Sequence, residues 1–200
     1  MSAHTPTTTA RQTVAVVGLG GIGGALAMAL RAADRHDIVA CTRRPLQRLA
    51  LERDAMVVDL PLRTVTSPAE LGPVDWVMLC TKAHDTASAA PWLARLCGPH
   101  TRVAVLQNGI DHAERTAPYA GDAAIVPVIV YYNGERLDAE RVRLRQVSSH
   151  DLVVADNPDG AAFAQVLDGS GLRVLQTGDF VTRAWRKLLR GEDLRVHARD

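Results

Sequence analysis

Thr13-Val-Ala-Val-Val-Gly18-Leu-Gly20-Gly-Ile-Gly23-Gly-Ala-Leu-Ala-Met-Ala-Leu-Arg31 is the stretch on which the reading of this 200-residue chain turns. The β-branched run Thr13 to Val17 predicts a strand, and Ile22 to Arg31, rich in Ala, Leu and Met and free of breakers, predicts a helix. Between them, Gly18-Leu19-Gly20-Gly21-Ile22-Gly23 fits the GxGxxG turn of dinucleotide-binding domains. In such a turn Gly18 permits the sharp reversal, Gly20 lets backbone approach a pyrophosphate, and Gly23 allows the helix to pack closely on the strand. The helix start then offers unpaired N–H groups and the positive end of its dipole to phosphate. The turn alone leaves two other readings open, a merely tight connection and a site for a methyl donor that carries a nucleoside.

Working outward, strands and helices alternate. Asp37 to Thr42 predicts a second strand, Leu46 to Arg53 a helix, and Met56 to Leu60 and Arg63 to Thr66 short strands around Pro61. Asp75 to Cys80 reads as a buried strand, followed by a helix from His84 that must restart near Pro91. Arg102 to Leu106 and Ala123 to Tyr131 predict two more strands. This spacing implies βαβ units with right-handed crossovers and a mostly parallel sheet, a Rossmann-type α/β fold. After Tyr132 the pattern changes: Asn133-Gly134 is a hairpin signal, and Arg141 to Val147 alternates as an antiparallel edge would. Asp159 to Leu167 predicts a helix, Leu172 to Leu175 a strand, and Asp179 the N-cap of a last helix bearing Val181, Ala184, Trp185, Leu188 and Leu189. The expected division is a polar tail over 1–12, a dinucleotide-binding domain over 13–178, and a linking helix with the start of a helical domain over 179–200.

Composition removes several classes. With 23 Lys plus Arg against 22 Asp plus Glu, the net charge is +1 and no basic or acidic tail exists to capture nucleic acid or an anionic membrane. No apolar run approaches the length of a membrane helix, and the Thr-rich start has no apolar stretch of a signal peptide. Cys41, Cys80 and Cys97 form no CxxC pair and lie in apolar segments, which argues for reduced thiols in a cytoplasm and against a zinc site or disulfide framework.

The polar residues at strand ends carry the chemistry. Where an acid would accept the ribose hydroxyls of NAD, the second strand ends instead in Thr42, Arg43 and Arg44; a guanidinium there can pair with a 2′-phosphate, which favours NADP, the other reading being a solvated loop. Of the 23 basic residues only Lys82 and Lys187 are lysines. An ammonium can act as a general acid, whereas a guanidinium holds its proton. Lys82 lies just past the carboxyl end of the strand Asp75 to Cys80, where ligands bind in open α/β sheets, and Gln107-Asn108-Gly109 occupies the equivalent place on the next strand. Asn108 either hydrogen-bonds a substrate oxygen or closes a turn before Gly109. His84 and His112 could be proton donors, yet each begins a helix with no evident partner, and capping or exposed roles are expected for them.

Gly18 to Gly23, Thr81-Lys82-Ala83, Leu106-Gln107-Asn108-Gly109 and Trp185-Arg186-Lys187-Leu188-Leu189, in this order and spacing, resemble the ketopantoate reductase (2-dehydropantoate 2-reductase) family from Thr13 to Leu189. The resemblance implies an N-terminal Rossmann-like domain joined by a long helix to a helical domain, with NADPH and an α-keto acid between them. It implies Lys187 as general acid, Lys82 and Asn108 as cleft residues beside nicotinamide and substrate, Gly18 to Gly23 on the cofactor, and Arg43 or Arg44 on its 2′-phosphate. The family also places asparagines four and eight residues after its lysine, where this chain has Gly191 and Arg195, and it continues well past this point. The sequence therefore reads as a member with a truncated or altered C-terminus. Reduction of ketopantoate in pantothenate biosynthesis and a non-catalytic NADPH-binding or regulatory module stand as alternatives. A homodimer covering the terminal helix is the expected partner.

Overall fold

A computed structural model describes residues 10–190. The elements are β1 (Thr13–Val17), α1 (Gly21–Ala33), β2 (Asp37–Cys41), β3 (Arg48–Arg53), β4 (Met56–Pro61), β5 (Arg63–Val65) and β6 (Trp76–Leu79). They continue with α2 (Ala90–Leu96), β7 (Arg102–Val105), α3 (His112–Ala120), β8 (Ala124–Pro127), β9 (Ile129–Val130), β10 (Asn133–Arg136) and β11 (Arg141–Arg145). The last are β12 (Leu152–Ala155), α4 (Pro158–Val166), β13 (Val174–Thr177) and α5 (Phe180–Leu189). Two 3₁₀ turns, Pro68–Glu70 and Ala83–Ala89, precede β6 and α2.

Six strands form an all-parallel sheet in the order β5-β2-β1-β6-β7-β8. Successive residues of a strand point to opposite faces, and the sequence uses both. Val14, Val16, Trp76, Met78 and Ala104 enter one apolar core, whereas Ala15, Val17, Val77, Leu79, Val103 and Val105 enter the other, under α2 and α3. This double burial accounts for the uninterrupted apolar runs. Trp76 meets Phe163 of α4 at 5.9 Å between ring centres. Truncating the fully buried Phe163 would cost about 3–5 kcal/mol.

Helix α1 is buried at every position from Gly23 to Leu30, because a second sheet, β10-β11-β3-β4, covers the side that the parallel sheet does not. That explains a helix of Gly, Ala, Leu and Met without a charge until Arg31. A third sheet, β13-β12-β9, pairs β12 antiparallel with β9 and parallel with β13. Asp151 anchors it: its buried carboxylate accepts from Arg173 Nε at 3.0 Å, the Arg173 amide at 2.8 Å and Gln146 Nε2 at 2.6 Å.

Three expectations from the sequence are corrected. The segment Leu46 to Arg53 is not a helix, since Leu49 and Leu51 alternate into the core as part of β3, which pairs with β4 and β11. The turn joining β3 to β4 places Asp54 and Ala55 at φ +48° and +64°. Ala123 to Tyr131 is not one strand: β8 stays in the parallel sheet and β9 crosses to the third. Asn133-Gly134 lies inside β10, and the chain reverses at 137–140. Gly191, Arg195, the rest of 191–200 and residues 1–9 of the tail lie outside the described residues. Among the described residues no helix is long and apolar enough to cross a membrane, and no group of three or more His, Cys, Asp and Glu could hold a metal ion. Cys41, Cys80 and Cys97 are free thiols.

Candidate active site

The carboxyl ends of β1, β6 and β7 lie side by side on one edge of the parallel sheet, so three loops meet there. The first is the glycine turn. Gly18 has φ +99°, and a Cβ there would fall 2.9 Å from the Thr81 amide nitrogen. A Cβ on Gly23 would fall 2.0 Å from Gly18 O and 2.8 Å from Cys80 Cβ, so helix and strand touch through these two glycines. Gly20 differs: no protein atom lies within 4 Å of its Cβ position. It precedes α1 with no side-chain cap, and the first turn carries no acid. Leu19, Gly21 and Ile22 face the protein through their backbone, with Leu19 O accepting from Arg136, Ile22 O accepting from Tyr132, and Gly21 against Gly134.

Arg43 and Arg44 follow β2 and are exposed. The Thr42 hydroxyl donates to Arg44 O at 2.7 Å, and no hydrogen bond or ion pair among the described residues engages either guanidinium.

The second and third loops are joined by Gln107, a buried side chain to which sequence reasoning gave no role of its own. Its Nε2 donates to Thr81 Oγ1 at 2.9 Å and Thr86 Oγ1 at 3.0 Å, and its Oε1 accepts from Arg115 Nε at 3.1 Å. The loop carrying Lys82 is thereby fixed against the loop carrying Asn108. Arg115 adds a bond to Asn108 O at 3.2 Å and an ion pair with Asp111. An amide at a strand end with threonines across the neighbouring strand end is the faint signal that could have pointed to it. Gly109 completes the turn at φ +111°.

Lys187 reaches this edge from α5, and its Nζ donates to Asn108 Oδ1 at 3.0 Å across 79 positions of sequence. Lysine has no acceptor, so the Asn108 oxygen must face it and the amide NH₂ group is turned elsewhere. Ala184 and Phe180 hold α5 in a small apolar cluster with Ile110, Ile129, Tyr131, Val153 and Leu175. Lys82 is exposed at the start of the 3₁₀ turn, on the loop beside the pair. His112, expected to cap or to be exposed, is buried, with Nε2 2.8 Å from Gln107 O. Burial lowers its pKa, and the charges of Arg115 and Lys187 act in the same direction. His84 is exposed beside Asp85.

A parallel α/β sheet with a glycine turn, an amide and a lysine at its carboxyl edge defines a Rossmann-type domain with polar groups gathered on that edge. The chain belongs to the ketopantoate reductase PanE/ApbA family, whose pattern matches residues 14–158. It is 38% identical over 178 residues to 2-dehydropantoate 2-reductase of Caulobacter vibrioides, covering 88% of this chain and 60% of that protein. The enzyme of the same name from Mycobacterium tuberculosis is 40% identical over 178 residues, with 88% and 59% covered. Solved structures share the fold. The PanE/ApbA family ketopantoate reductase of Ralstonia eutropha aligns with TM-score 0.78 at 24% identity, over 90% of this chain and 61% of that one. A ketopantoate reductase structure from Ralstonia solanacearum gives 0.81 at 23%, over 91% and 65%. The chain thus spans about 60% of the length of these curated relatives.

Proposed function

We propose that the chain takes part in NADPH-dependent reduction of an α-keto acid, with ketopantoate as substrate, the reaction named for its relatives. The observation that carries this reading is the Lys187–Asn108 contact on the same sheet edge as the glycine turn. The open face of Gly20 and the exposed Arg43 and Arg44 fit a dinucleotide with a 2′-phosphate: backbone N–H groups of the turn would meet the pyrophosphate, and a guanidinium the 2′-phosphate. In this assignment residues 13–178 form the dinucleotide domain and α5 brings the acid to it. Bound NADPH supplies the hydride.

The residues of the chain divide the remaining work. Lys187 delivers a proton to the oxygen that develops negative charge at the keto carbon, a contribution of about 10²–10⁴-fold for a well-placed general acid. Asn108 holds the ammonium through Oδ1 and donates from its NH₂ group toward the substrate. Lys82, on the adjoining loop, adds a positive charge for the nicotinamide and carboxylate side of the cleft. The exposed stripe Val181, Trp185 and Leu189 is covered by a second copy of the chain. A structural neighbour from Staphylococcus aureus is described as dimeric, and sedimentation behaviour at rising protein concentration tests the same for this chain.

The deciding experiment follows NADPH oxidation with ketopantoate beside a calorimetric NADPH titration on one sample. Lys187→Arg should keep cofactor affinity and lose most of kcat, because a guanidinium is a poor acid. Unchanged kcat removes Lys187 from the chemistry. NADPH binding without turnover in the unaltered chain favours the alternative of a non-catalytic cofactor-binding module.

A further inference from the structure

The search for groups that the assignment above leaves unused leads to the hairpin of β10 and β11, which lies across the start of α1. The contact is backbone on backbone: a Cβ on Gly21 would fall 2.0 Å from Gly134 O, and one on Gly134 2.5 Å from Gly21 O. The buried Tyr132, just before β10, donates its hydroxyl to Ile22 O at 2.8 Å. Arg136, at the end of β10, donates from Nη1 to Leu19 O at 2.6 Å. Its other bonds go from Nε to Asp138 O at 2.6 Å and from Nη2 to Ala139 O. The guanidinium is therefore locked in a three-pointed frame, one point of which is the glycine turn itself.

All of those acceptors are neutral carbonyls, and that is unusual in this part of the molecule. On β11, Arg141, Arg143 and Arg145 each ion-pair with Asp138, Glu52 or Glu135. Among the described residues no carboxylate pairs with Arg136. Asp138, whose carbonyl it uses, directs its carboxylate to Arg141 at 3.1 Å and to the Glu140 amide at 2.8 Å. Partial burial lowers the Arg136 pKa from its usual value, and the nearby Asp138 charge offsets this only in part. Asp138 acts on it only through space, and a half-buried cation without an ion-pair partner is costly unless something anionic completes it.

We propose that Arg136 is a positioning residue of the nucleotide site. It draws the Leu19 carbonyl to the hairpin side of the turn and sets a fixed positive charge behind it, so that the N–H groups at the start of α1 face a diphosphate. The proposal rests on the reading of Gly18 to Gly23 as a dinucleotide site, and it adds a residue 117 positions from Leu19 that no glycine fingerprint contains. An oxygen of Leu19 aimed at the ligand would repel phosphate, and its removal to Arg136 is the physical gain.

The test measures two ligands by calorimetry on the full chain: NADPH, and adenosine 2′-monophosphate, which has the 2′-phosphate but no diphosphate. Arg136→Met should weaken NADPH by roughly tenfold to a hundredfold while adenosine 2′-monophosphate changes by less than about twofold. Arg136→Lys keeps the charge but cannot hold all three carbonyls, and should lie between. It also serves if the methionine variant does not fold, since an NADPH loss confined to the diphosphate ligand is still expected of it. NADPH affinity unchanged in the folded variants, or equal losses for both ligands, overturns the proposal. Failure of the unaltered chain to bind either ligand overturns the dinucleotide reading, and the role of Arg136 with it.

Discussion

Two adjacent glycines of the turn are expected to respond in opposite ways. In Gly21→Ala the new methyl would sit 2.0 Å from Gly134 O, where ordinary contact begins at 3.4 Å, so the hairpin must retreat by about 1.4 Å. That retreat breaks Tyr132 to Ile22 and Arg136 to Leu19, now 2.8 and 2.6 Å. One neutral bond is worth about 1 kcal/mol and one from a charged group about 1.5–3 kcal/mol. The gain in helix propensity, up to about 1 kcal/mol, offsets part of this. The net loss is about 1.5–3 kcal/mol, or roughly 3–12 °C in Tm for a domain of this size. Gly20→Ser adds its side chain where no protein atom stands within 4 Å, and serine is a favoured residue at a helix start. Its Tm should hold or rise by about 1 °C, while NADPH affinity falls at least about tenfold as the hydroxymethyl group enters the space assigned to pyrophosphate. Differential scanning calorimetry and an NADPH titration on both variants give the crossing pattern. A Gly21→Ala variant within about 1 °C of the unaltered chain, or a Gly20→Ser variant that melts as early as Gly21→Ala, refutes the reasoning.

Other outcomes follow from the same geometry. The double variant Arg43→Ala, Arg44→Ala should lose roughly tenfold to a hundredfold in NADPH affinity and little in NADH affinity, read by paired titrations. Burial alone would raise the Asp151 carboxyl, but the bonds from Arg173 and Gln146 outweigh it and hold the pKa below the usual value. Its stabilisation is therefore present above the unfolded pKa of about 3.9 and is lost as pH falls through the lower folded value. Asp151→Asn should cost about 1.5–3 kcal/mol at neutral pH and flatten that acid limb in urea titrations. Burial pushes the Cys41 thiol up to about 12 and Cys97 up to about 11, so both should resist a thiol reagent in the native state and react on unfolding.

What the sequence made legible, and what it hid, divides by the range of the forces involved. The first strand, turn and helix were readable because Gly18, Gly20 and Gly23 are local requirements of one tight connection. Residues 48–53 misled because Arg-Leu-Ala-Leu-Glu-Arg is built of helix formers, and its alternation of Leu49 and Leu51 gains meaning only when β4 and β11 flank it. Ala55 at φ +64° carries none of the usual turn residues' marks. Gly134 was read as a hairpin turn because Asn-Gly is a strong local signal, whereas the position needs glycine for contact with Gly21, 113 residues earlier. At the site, Lys82, Asn108 and Lys187 were named from strand ends and from family resemblance. Gln107 and His112 escaped because their importance lies in buried bonds across loops, which no spacing along one segment encodes.

The attachment of α5 has a further consequence. Along this helix Ala184 is the one buried residue, whereas β1, β6 and β7 are buried almost throughout. Amide exchange on α5 should proceed by local opening at low free energy, while the central strands exchange only when the whole fold gives way. The glycine turn and the Lys187 amine, proposed above to act on one ligand, thus belong to cooperative units of unequal strength. Lys187 can leave Asn108 and return on a timescale of its own, and binding at the cleft would register as slowed exchange in α5 before any change in the sheet.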